Sequence, residues 1–384
     1  MGFVDGHCDP AFQGVREVFE EQFAAGRQVG AAVAVVVGGR PVVDLWGGTA
    51  DGRTGRLWER DTRCVAFSCT KAVTATAALL LAERGEVDLT APVTDWWPEF
   101  GGQGKDAVTG EHLLSHQTGL PAFARPVTPE EATDPAAMAA LLAGQTPEWT
   151  PGDGHGYHAL TYGWLAGEIV RRNAGVTVGE FVRREFAPDL WIGAPPEVIA
   201  QAARLGGRPA PAGGADPVAR PKTDDLLHRL AEAYMDPVSR MNRALHNPRT
   251  SFNNPLVLAG GWPAAGMLAA PRDLAAFYDR LVRGEILRPD TLADATRTRV
   301  DGPDRTLLVN TAFGLGYMRP NVNFRVPGEG RRTAFGHSGA GGSLGLGDPA
   351  AGLAFAFIPN LMGDAIGGDL RSFELLKAAY AALG

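Results

Sequence analysis

Cysteine is scarce in this 384-residue chain, and its placement argues against two kinds of stabilising site. Cys8, Cys64 and Cys69 form no CxxC pair, and three thiols cannot all pair with one another. Disulfide scaffolds and thiolate metal sites need more cysteines at regular spacing. We therefore expect reduced thiols and no bound metal.

Long apolar runs are also absent. Runs such as 31–37 and 77–82 are far shorter than the roughly 20 residues that cross a bilayer, so we expect no membrane span. The first residues lack both the basic start and the apolar stretch of a secretory signal. We expect a cytoplasmic protein, unless a leader preceded this sequence.

Clustered positive charge is the third absence. The net charge is -7, the isoelectric point is near 5.7, and no Lys- or Arg-rich run occurs. Such a chain offers no electrostatic surface for a phosphate backbone, so nucleic acid is not expected as a partner. With 45% apolar and 21% charged residues, it can bury a full core as one or two closely joined domains. No feature of the sequence indicates an oligomeric state.

The order of the predicted elements indicates an α+β fold. The elements are a helix over 11–25, strands over 30–37 and 41–46, a helix over 68–84, helices broken by Pro- and Gly-rich loops over 86–268 with an exposed excursion at 208–221, a helix over 272–283, extended pieces at 314–318, 333–335, 343–346 and 353–359, and a helix over 370–383. This order predicts an antiparallel sheet in which both chain ends meet, flanked by helices, with a mostly helical domain inserted. We assign residues 1–67 and 270–384 to the sheet domain and 68–269 to the helical domain, with the active site at their junction.

One serine is distinguished from the other six. Only Ser68 has a lysine three positions on, Lys71, and residues three apart share one face of a helix. A serine hydroxyl is a weak nucleophile unless a neighbouring group takes its proton, and a lysine can do so when burial and the positive end of a helix lower its pKa. The structural alternative is that Ser68 caps the helix and Lys71 is solvated. The apolar residues before Ser68 and the uncharged helix after Lys71 favour the catalytic interpretation.

A tyrosine in the middle of the chain could serve the same chemistry. Tyr157 stands where a Pro- and Gly-rich loop meets a helical pattern. From that junction its hydroxyl could relay a proton between Ser68, Lys71 and a leaving group. Tyr162 lies inside the helical pattern, and we interpret it as a packing residue.

A glycine-rich segment near the C-terminus is the third candidate. Residues 335–342 place small residues around His337 and Gly339, so a substrate could lie against the backbone and its N–H groups could hold an oxyanion. The segment nearly matches the nucleophile elbow of α/β-hydrolases, with Ser338 as nucleophile. Glycines rather than a helix follow Ser338, however, and no histidine lies downstream of His337, so we reject that interpretation.

Together these motifs resemble those of the S-x-x-K acylases, which include penicillin-binding proteins, class C β-lactamases and family VIII carboxylesterases. The similar segments are SCTK at 68–71, LLSHQTGL at 113–120, YHALTYG at 157–163 and GHSG at 336–339, and the similarity extends through most of the chain. The resemblance implies a β-lactamase/DD-peptidase-like fold and an acyl-Ser68 intermediate, with no metal or organic cofactor. It also implies that Lys71 and Tyr157 together supply the acid and the base, and that the amides of Ser68 and Ala340 form the oxyanion hole.

Two positions depart from the lactam-processing pattern. The tyrosine motif normally ends in an amide side chain that grips the substrate's acylamino group, but Ala159 stands there in this chain. The lysine of the third motif, which meets the carboxylate of a β-lactam, is His337 here, although some DD-peptidases also have histidine. Each loss should weaken binding of an anionic lactam by about 1–3 kcal/mol.

We therefore predict a serine carboxylesterase whose substrates are small-molecule esters with short to medium chains. The alternatives on the same scaffold are a β-lactamase, DD-peptidase or amide hydrolase, an acyltransferase, and a non-catalytic binding protein. The intact set of serine, lysine and tyrosine argues against a binding protein, because a binding module needs no general base.

Two remaining features have a functional and a plain interpretation. Trp262, which follows two glycines, either walls the acyl pocket or lies in the core under a turn. The pairs His112/His116 and His155/His158 have helical spacing, but neither forms an H-E-x-x-H motif. We therefore favour polar or packed histidines over zinc ligands.

Overall fold

The computed structural model describes residues 4–187, 189–206, 226–363 and 368–384. The helices are α1 Gln13–Ala24, α2 Cys69–Glu83, α3 Gly110–Leu114, α4 Pro135–Ala143, α5 Thr161–Ala174, α6 Val178–Glu185, α7 Pro196–Gln201, α8 Leu226–Met235, α9 Arg240–His246, α10 Pro255–Gly260, α11 Pro271–Val282, α12 Pro289–Thr296 and α13 Leu370–Ala381. The strands are β1 Val4–Cys8, β2 Gly30–Val37, β3 Arg40–Asp51, β4 Arg56–Leu57, β5 Cys64–Val65, β6 Leu268–Ala269, β7 Val300–Pro303, β8 Asn310–Phe313, β9 Phe335–Ser338, β10 Leu344–Asp348 and β11 Leu353–Pro359. The excursion predicted at 208–221 lies outside the described residues. Of the helices described, none is long and apolar enough to cross a membrane.

A seven-stranded antiparallel sheet joins the two ends of the chain. Its order is β1-β3-β2-β11-β10-β9, with β4 paired to β3. The predicted hairpin is confirmed as β2 and β3, and β2 also pairs with β11 from Ala31 opposite Pro359 to Val37 opposite Leu353. The first and last strands of the chain therefore meet in one sheet, and the predicted α+β class with an antiparallel sheet flanked by helices is confirmed.

The central strands are apolar on both faces because helices cover both faces. Along β2, Ala32, Ala34 and Val36 join the core beneath α11, whereas Val33 and Val35 join the core formed with α1 and α13. Alternate residues of a strand point to opposite faces, so burial on both sides requires a continuous apolar run.

Two of the four predicted C-terminal extended pieces are confirmed as strands. The run at 353–359 is β11, the piece at 343–346 falls on β10 with shifted ends, and the piece at 333–335 reaches β9 only at Phe335. Residues 314–318 form a turn instead, in which Gly316 adopts a left-handed φ of 80° and Met318 alone bridges to Gly336. Two glycines in five residues permit this turn, and the extended pattern did not reveal it.

The chain enters and leaves its mostly helical part at adjacent points. Cys64 of β5 pairs with Ala269 of β6, and Val65 pairs with Leu268. From β5 the chain passes directly into α2, which packs against α5 and α6 on one side and β9 on the other. Helix α2 therefore lies between the sheet and the other helices, while the domain boundaries at 67/68 and 269/270 stay a prediction.

Candidate active site

Ser68 occupies the N-cap position of α2, but its side chain does not cap the helix. Its Oγ lies 3.1 Å from Lys71 Nζ and 2.8 Å from Tyr157 Oη. Phe67, just before it, has a φ of 46°, a left-handed conformation that costs energy for any residue with a Cβ and recurs at functional sites. The interpretation of Ser68 as a simple helix cap beside a solvated lysine is therefore wrong.

Lys71 is completely buried, and its amine is held in a fixed direction. Its Nζ donates to the backbone carbonyls of Ala159 (2.7 Å) and Ala264 (3.0 Å), besides its contact with Ser68 Oγ. Burial disfavours the ammonium form and holds the pKa of Lys71 well below its usual value. Because carbonyls only accept, they take two N–H groups, and the lone pair of the neutral amine is left facing Ser68 Oγ.

Tyr157 is buried next to both groups. Its hydroxyl donates to Ser68 Oγ, and Lys71 Nζ lies 4.7 Å from the centre of its ring. Burial raises the pKa of Tyr157, so the phenol keeps its proton at neutral pH. A phenol in that state can donate a proton to a leaving group.

The end of β9 approaches the start of α2 very closely. A Cβ on Gly339 would lie 2.5 Å from the carbonyl oxygen of Ala66, a separation that real Cβ atoms do not adopt. Only glycine therefore allows this approach, which brings the next residue, Ala340, to the same cavity as Ser68.

This cavity has a volume of about 570 Å³ and is mostly apolar. Its lining is formed by Phe67, Ser68, Tyr157, Ala159, Leu160, Leu230, Ala231, Tyr234, Leu245, His246, Pro248, Thr250, Phe252, Ala265, Leu307, Met318, Asn323, Ser338, Ala340, Gly341, Met362 and Gly363. Within the described ranges, the lining contains no Asp, Glu, Lys or Arg. The cavity can therefore accommodate a neutral apolar substrate, but it offers no ion-pair partner to a charged substrate.

Sequence reasoning missed one wall of this cavity. Helices α8 and α9 contribute Leu230, Tyr234 and Leu245 to the lining, and Phe252 follows from the next loop. The only available signal was the amphipathic pattern of α8, which could not indicate what its apolar face covers.

The structure places Trp262 in the core rather than in the cavity wall. Its side chain is 1% exposed and packs against Trp164 and Phe252, with ring centroids 5.6 and 5.8 Å apart. Phe252 lines the cavity and packs on Trp262, so the structure places Trp262 behind this wall, as the core interpretation predicts.

His337 and Gly339 are close to the site but do not line the cavity in the part of the chain that the structure describes. His337 is buried, and its Nδ1 lies 2.6 Å from the carbonyl oxygen of Ser338, which makes Nδ1 the protonated nitrogen. Burial, with a smaller effect of Lys71, lowers the pKa of His337 to about 3. The imidazole is neutral at physiological pH and cannot replace the cation of lactam-processing enzymes.

The histidine pairs hold backbone and side-chain groups of the protein. His116 Nδ1 accepts the N–H of His158, and His158 Nε2 accepts the N–H of Leu120. His155 Nε2 contacts the hydroxyl of Thr311 at 2.9 Å. Across the described residues, no three His, Cys, Asp or Glu side chains come together as a group that could hold a metal ion.

The segment at 336–342 also lacks the geometry of a nucleophile elbow. Ser338 ends β9 and is followed by a single 3-10 turn, Ala340–Gly342, and then by β10. Strand β10 pairs antiparallel with β9, so no helix begins behind Ser338. Ser68 is thus the serine of this cavity that has a base beside it.

Comparison with known proteins is consistent with this geometry. The β-lactamase family model matches residues 15–379. The chain is 35% identical over 370 residues to the esterase/β-lactamase LipL of Mycobacterium tuberculosis, an alignment that covers 93% of this chain and 83% of LipL. A crystal structure of a family VIII carboxylesterase is similar with a TM-score of 0.87 and 31% identity, over 99% of this chain and 100% of that chain. A penicillin-binding protein homologue from Caulobacter crescentus is similar with a TM-score of 0.84 and 36% identity, over 99% and 100% of the two chains.

A family match over this much of the chain, together with a serine, a lysine and a tyrosine in mutual contact, identifies the protein class. The chain belongs to the β-lactamase family of serine hydrolases and is a family VIII esterase-like enzyme.

Proposed function

We propose that this enzyme is a carboxylesterase that hydrolyses neutral esters of short to medium chain length through an acyl-Ser68 intermediate. One observation carries the proposal. Ser68 Oγ contacts both the buried amine of Lys71 and the phenol of Tyr157, at a cavity whose described lining has no charged side chain. The names of relatives that include the word esterase support the same chemistry.

Acylation follows from the positions of these groups. Ser68 Oγ attacks the ester carbonyl carbon while its proton passes to the lone pair of Lys71 Nζ. The carbonyl electron pair moves onto oxygen, and we assign the N–H groups of Ser68 and Ala340 as the donors that hold this oxyanion. As the intermediate collapses, the bond to the alcohol oxygen breaks and Tyr157 protonates the departing alkoxide. The proton held by Lys71 then restores the phenol.

Deacylation uses the same groups in the opposite sense. Water takes the place of the alcohol and attacks the acyl carbon while its proton passes to the neutral amine of Lys71. The bond to Ser68 Oγ breaks, the proton returns to Ser68, and the carboxylic acid leaves. No step needs a metal or an organic cofactor.

The cavity favours a neutral ester over a β-lactam. A β-lactam antibiotic carries a carboxylate, and a buried carboxylate needs a cation or several donors. His337 is neutral and buried, and Ala159 supplies only a methyl group to the cavity. An ester without charge loses nothing at either position, so we expect it to be the better substrate.

The test compares two serines of the same cavity. Wild type, Ser68→Ala and Ser338→Ala are incubated with a fluorophosphonate probe, and turnover of p-nitrophenyl butyrate is measured in parallel. We expect Ser68→Ala to lose labelling and to lower kcat by about 10³-fold or more. Ser338→Ala should still be labelled, and the labelled peptide should contain Ser68. Substantial turnover by Ser68→Ala, or a label on Ser338, would contradict the assignment.

A further inference from the structure

Tyr157 lies in a segment between α4 and α5 that is neither helix nor strand. Such a segment has no regular pattern of backbone hydrogen bonds within itself. Its position therefore depends on the partners that its N–H and C=O groups find elsewhere. Three consecutive N–H groups are held from outside it. Gly156 donates to the carbonyl of His116 (3.1 Å), Tyr157 donates to both carboxylate oxygens of Asp304 (3.0 and 3.1 Å), and His158 donates to His116 Nδ1 (3.1 Å).

Asp304 is itself rigidly held. It is 2% exposed, and its Oδ1 accepts the N–H groups of Thr306 and Leu307, both at 2.8 Å. Its Oδ2 accepts the hydroxyl of Thr311 at 2.9 Å. In the part of the chain that the structure describes, no Lys or Arg forms an ion pair with this carboxylate. Neutral donors from the loop of Asp304 and from β8 therefore fix the direction of its carboxylate. The lone pairs that these donors leave free accept the N–H of Tyr157.

The loop of Asp304 and the segment of Tyr157 are joined a second time. The N–H of Arg305 donates to the carbonyl of His155 at 3.0 Å. A Cβ on Gly156 would lie 2.7 Å from Thr306 Oγ1, so glycine is needed for the two segments to approach this closely. Leu307, from the same loop, lines the cavity. The loop after β7 therefore both shapes the cavity and bonds to the segment that carries the phenol.

We propose that Asp304 is a positioning residue: its carboxylate holds the backbone N–H of Tyr157 and thereby keeps the phenol on Ser68 Oγ. The inference rests on the proposed function, because it assumes that Tyr157 transfers protons during ester hydrolysis. Among the described contacts, Asp304 bonds to neither Ser68 nor Lys71, so its effect reaches the chemistry through Tyr157. Displacing a catalytic group by about 1 Å can cost about 10²-fold in rate.

The test is a double-mutant cycle between Asp304→Asn and Tyr157→Phe. The amide replaces one acceptor oxygen with a donor that faces the N–H of Tyr157 and the hydroxyl of Thr311. In the wild-type background we expect kcat for p-nitrophenyl butyrate to fall by about 10²-fold, with KM changed by less than about threefold. In the Tyr157→Phe background the same change should cost less than about threefold, because the group that Asp304 positions is already gone. Equal losses in the two backgrounds would overturn the proposal.

Asp348→Asn is the matched control. Asp348 is 1% exposed and accepts hydrogen bonds from Thr333, Ala350 and Tyr380, so it is as buried as Asp304 and is also held by neutral donors. It ends β10 and does not line the cavity. We expect this variant to be destabilised on thermal unfolding but to keep a kcat within about threefold of wild type in the folded protein. A loss of kcat as large as that of Asp304→Asn would show that destabilisation alone explains the effect.

Two further measurements keep the test decisive. If Asp304→Asn does not fold, Thr311→Val removes one donor from the carboxylate with little change of shape, and its smaller loss of kcat should also vanish in the Tyr157→Phe background. The rate of fluorophosphonate labelling at Ser68 is measured for every variant of the cycle. Labelling of wild type without ester turnover would contradict the proposed function, while the labelling rates would still decide whether Asp304 acts through Tyr157.

Discussion

Proton transfer at a single lysine sets the pH at which this site can work. Below its pKa, Lys71 is an ammonium group that donates to Ala159, Ala264 and Ser68, so Ser68 has no base. Above it, the lone pair faces Ser68 Oγ. Burial lowers the pKa of Lys71 and raises that of Tyr157, so there is a range in which the amine is neutral while the phenol is protonated.

We therefore expect kcat/KM for a neutral ester to rise with pH through the pKa of Lys71 and then to level off. Below that pKa the rate should fall by about tenfold per pH unit, because only the neutral amine accepts the proton. The measurement is a pH profile of kcat/KM for p-nitrophenyl butyrate, with the Ser68→Ala variant as the blank for spontaneous hydrolysis. Activity that declines steadily from pH 6 to pH 9 would contradict this assignment of the base.

The residues of the site differ in how far sequence could predict them. Ser68 and Lys71 are neighbours on one helix turn, and Tyr157 belongs to a short motif, so local patterns sufficed. Asp304 bonds to Tyr157 across 147 positions of sequence, and no local pattern links the two. The sequence alone allows Trp262 either in the cavity wall or in the core. Its place is set by Phe252, which packs on Trp262 and lines the cavity, and this tertiary contact leaves no local pattern.

At the scale of elements, the site depends on one close crossing between β9 and α2. Gly339 makes that crossing possible, since a Cβ there would meet the carbonyl oxygen of Ala66 at 2.5 Å. Strand β9 is also held by β10, where Ser338 pairs with Leu344, so it cannot retreat freely. Any side chain at Gly339 must therefore move either the start of α2 or the residue that follows, Ala340.

For Gly339→Ala we expect kcat to fall by about 10- to 100-fold, because the displaced backbone carries the proposed oxyanion donor. Gly14→Ala is the control, since a Cβ at Gly14 in α1 meets nothing within 4 Å and alanine favours a helix. Steady-state kinetics and thermal unfolding are measured for both variants. A Gly339→Ala enzyme with wild-type kcat would show that this approach is not needed for catalysis.

Elements were predictable where composition and burial agree. Strand β11 was predicted at its exact bounds because Leu353–Pro359 is apolar throughout and buried on both faces. Strand β1 was missed because Val4–Cys8 contains one β-branched residue and a central glycine. Its strand conformation comes from pairing with β3, which is a tertiary interaction.

At the scale of the whole molecule, the site forms where distant parts of the chain meet. Ser68 comes from the first third of the sequence and stands at the start of α2. Ala340 comes from the last third and follows β9, a strand of the sheet that packs against α2. The pairing of β2 with β11 brings the two chain ends together at the centre of that sheet. The active geometry therefore requires the complete fold, and the cavity walls also come from both parts: Leu230 and Phe252 belong to the helical part, whereas Leu307 and Met362 follow it.

Charge at the same scale gives a test of substrate class. The chain has a net charge of -7, and the described cavity lining contains no cationic side chain. An anionic substrate therefore meets repulsion at long range and finds no ion pair inside. A neutral ester meets neither penalty.

We expect kcat/KM for mono-p-nitrophenyl succinate to be about 10- to 100-fold lower than for p-nitrophenyl butyrate, which corresponds to about 1–3 kcal/mol for one unpaired group. The two acyl chains have similar lengths, so charge is the main difference between them. Added salt screens only the long-range part and should recover a minor share of the loss. A chromogenic cephalosporin, which is also anionic, should be hydrolysed more slowly still, because Ala159 and the neutral His337 offer its polar groups no partner. Equal kcat/KM values for the succinate and the butyrate would mean that the cavity accepts an anionic acyl chain without penalty, which would contradict the proposed preference for neutral esters.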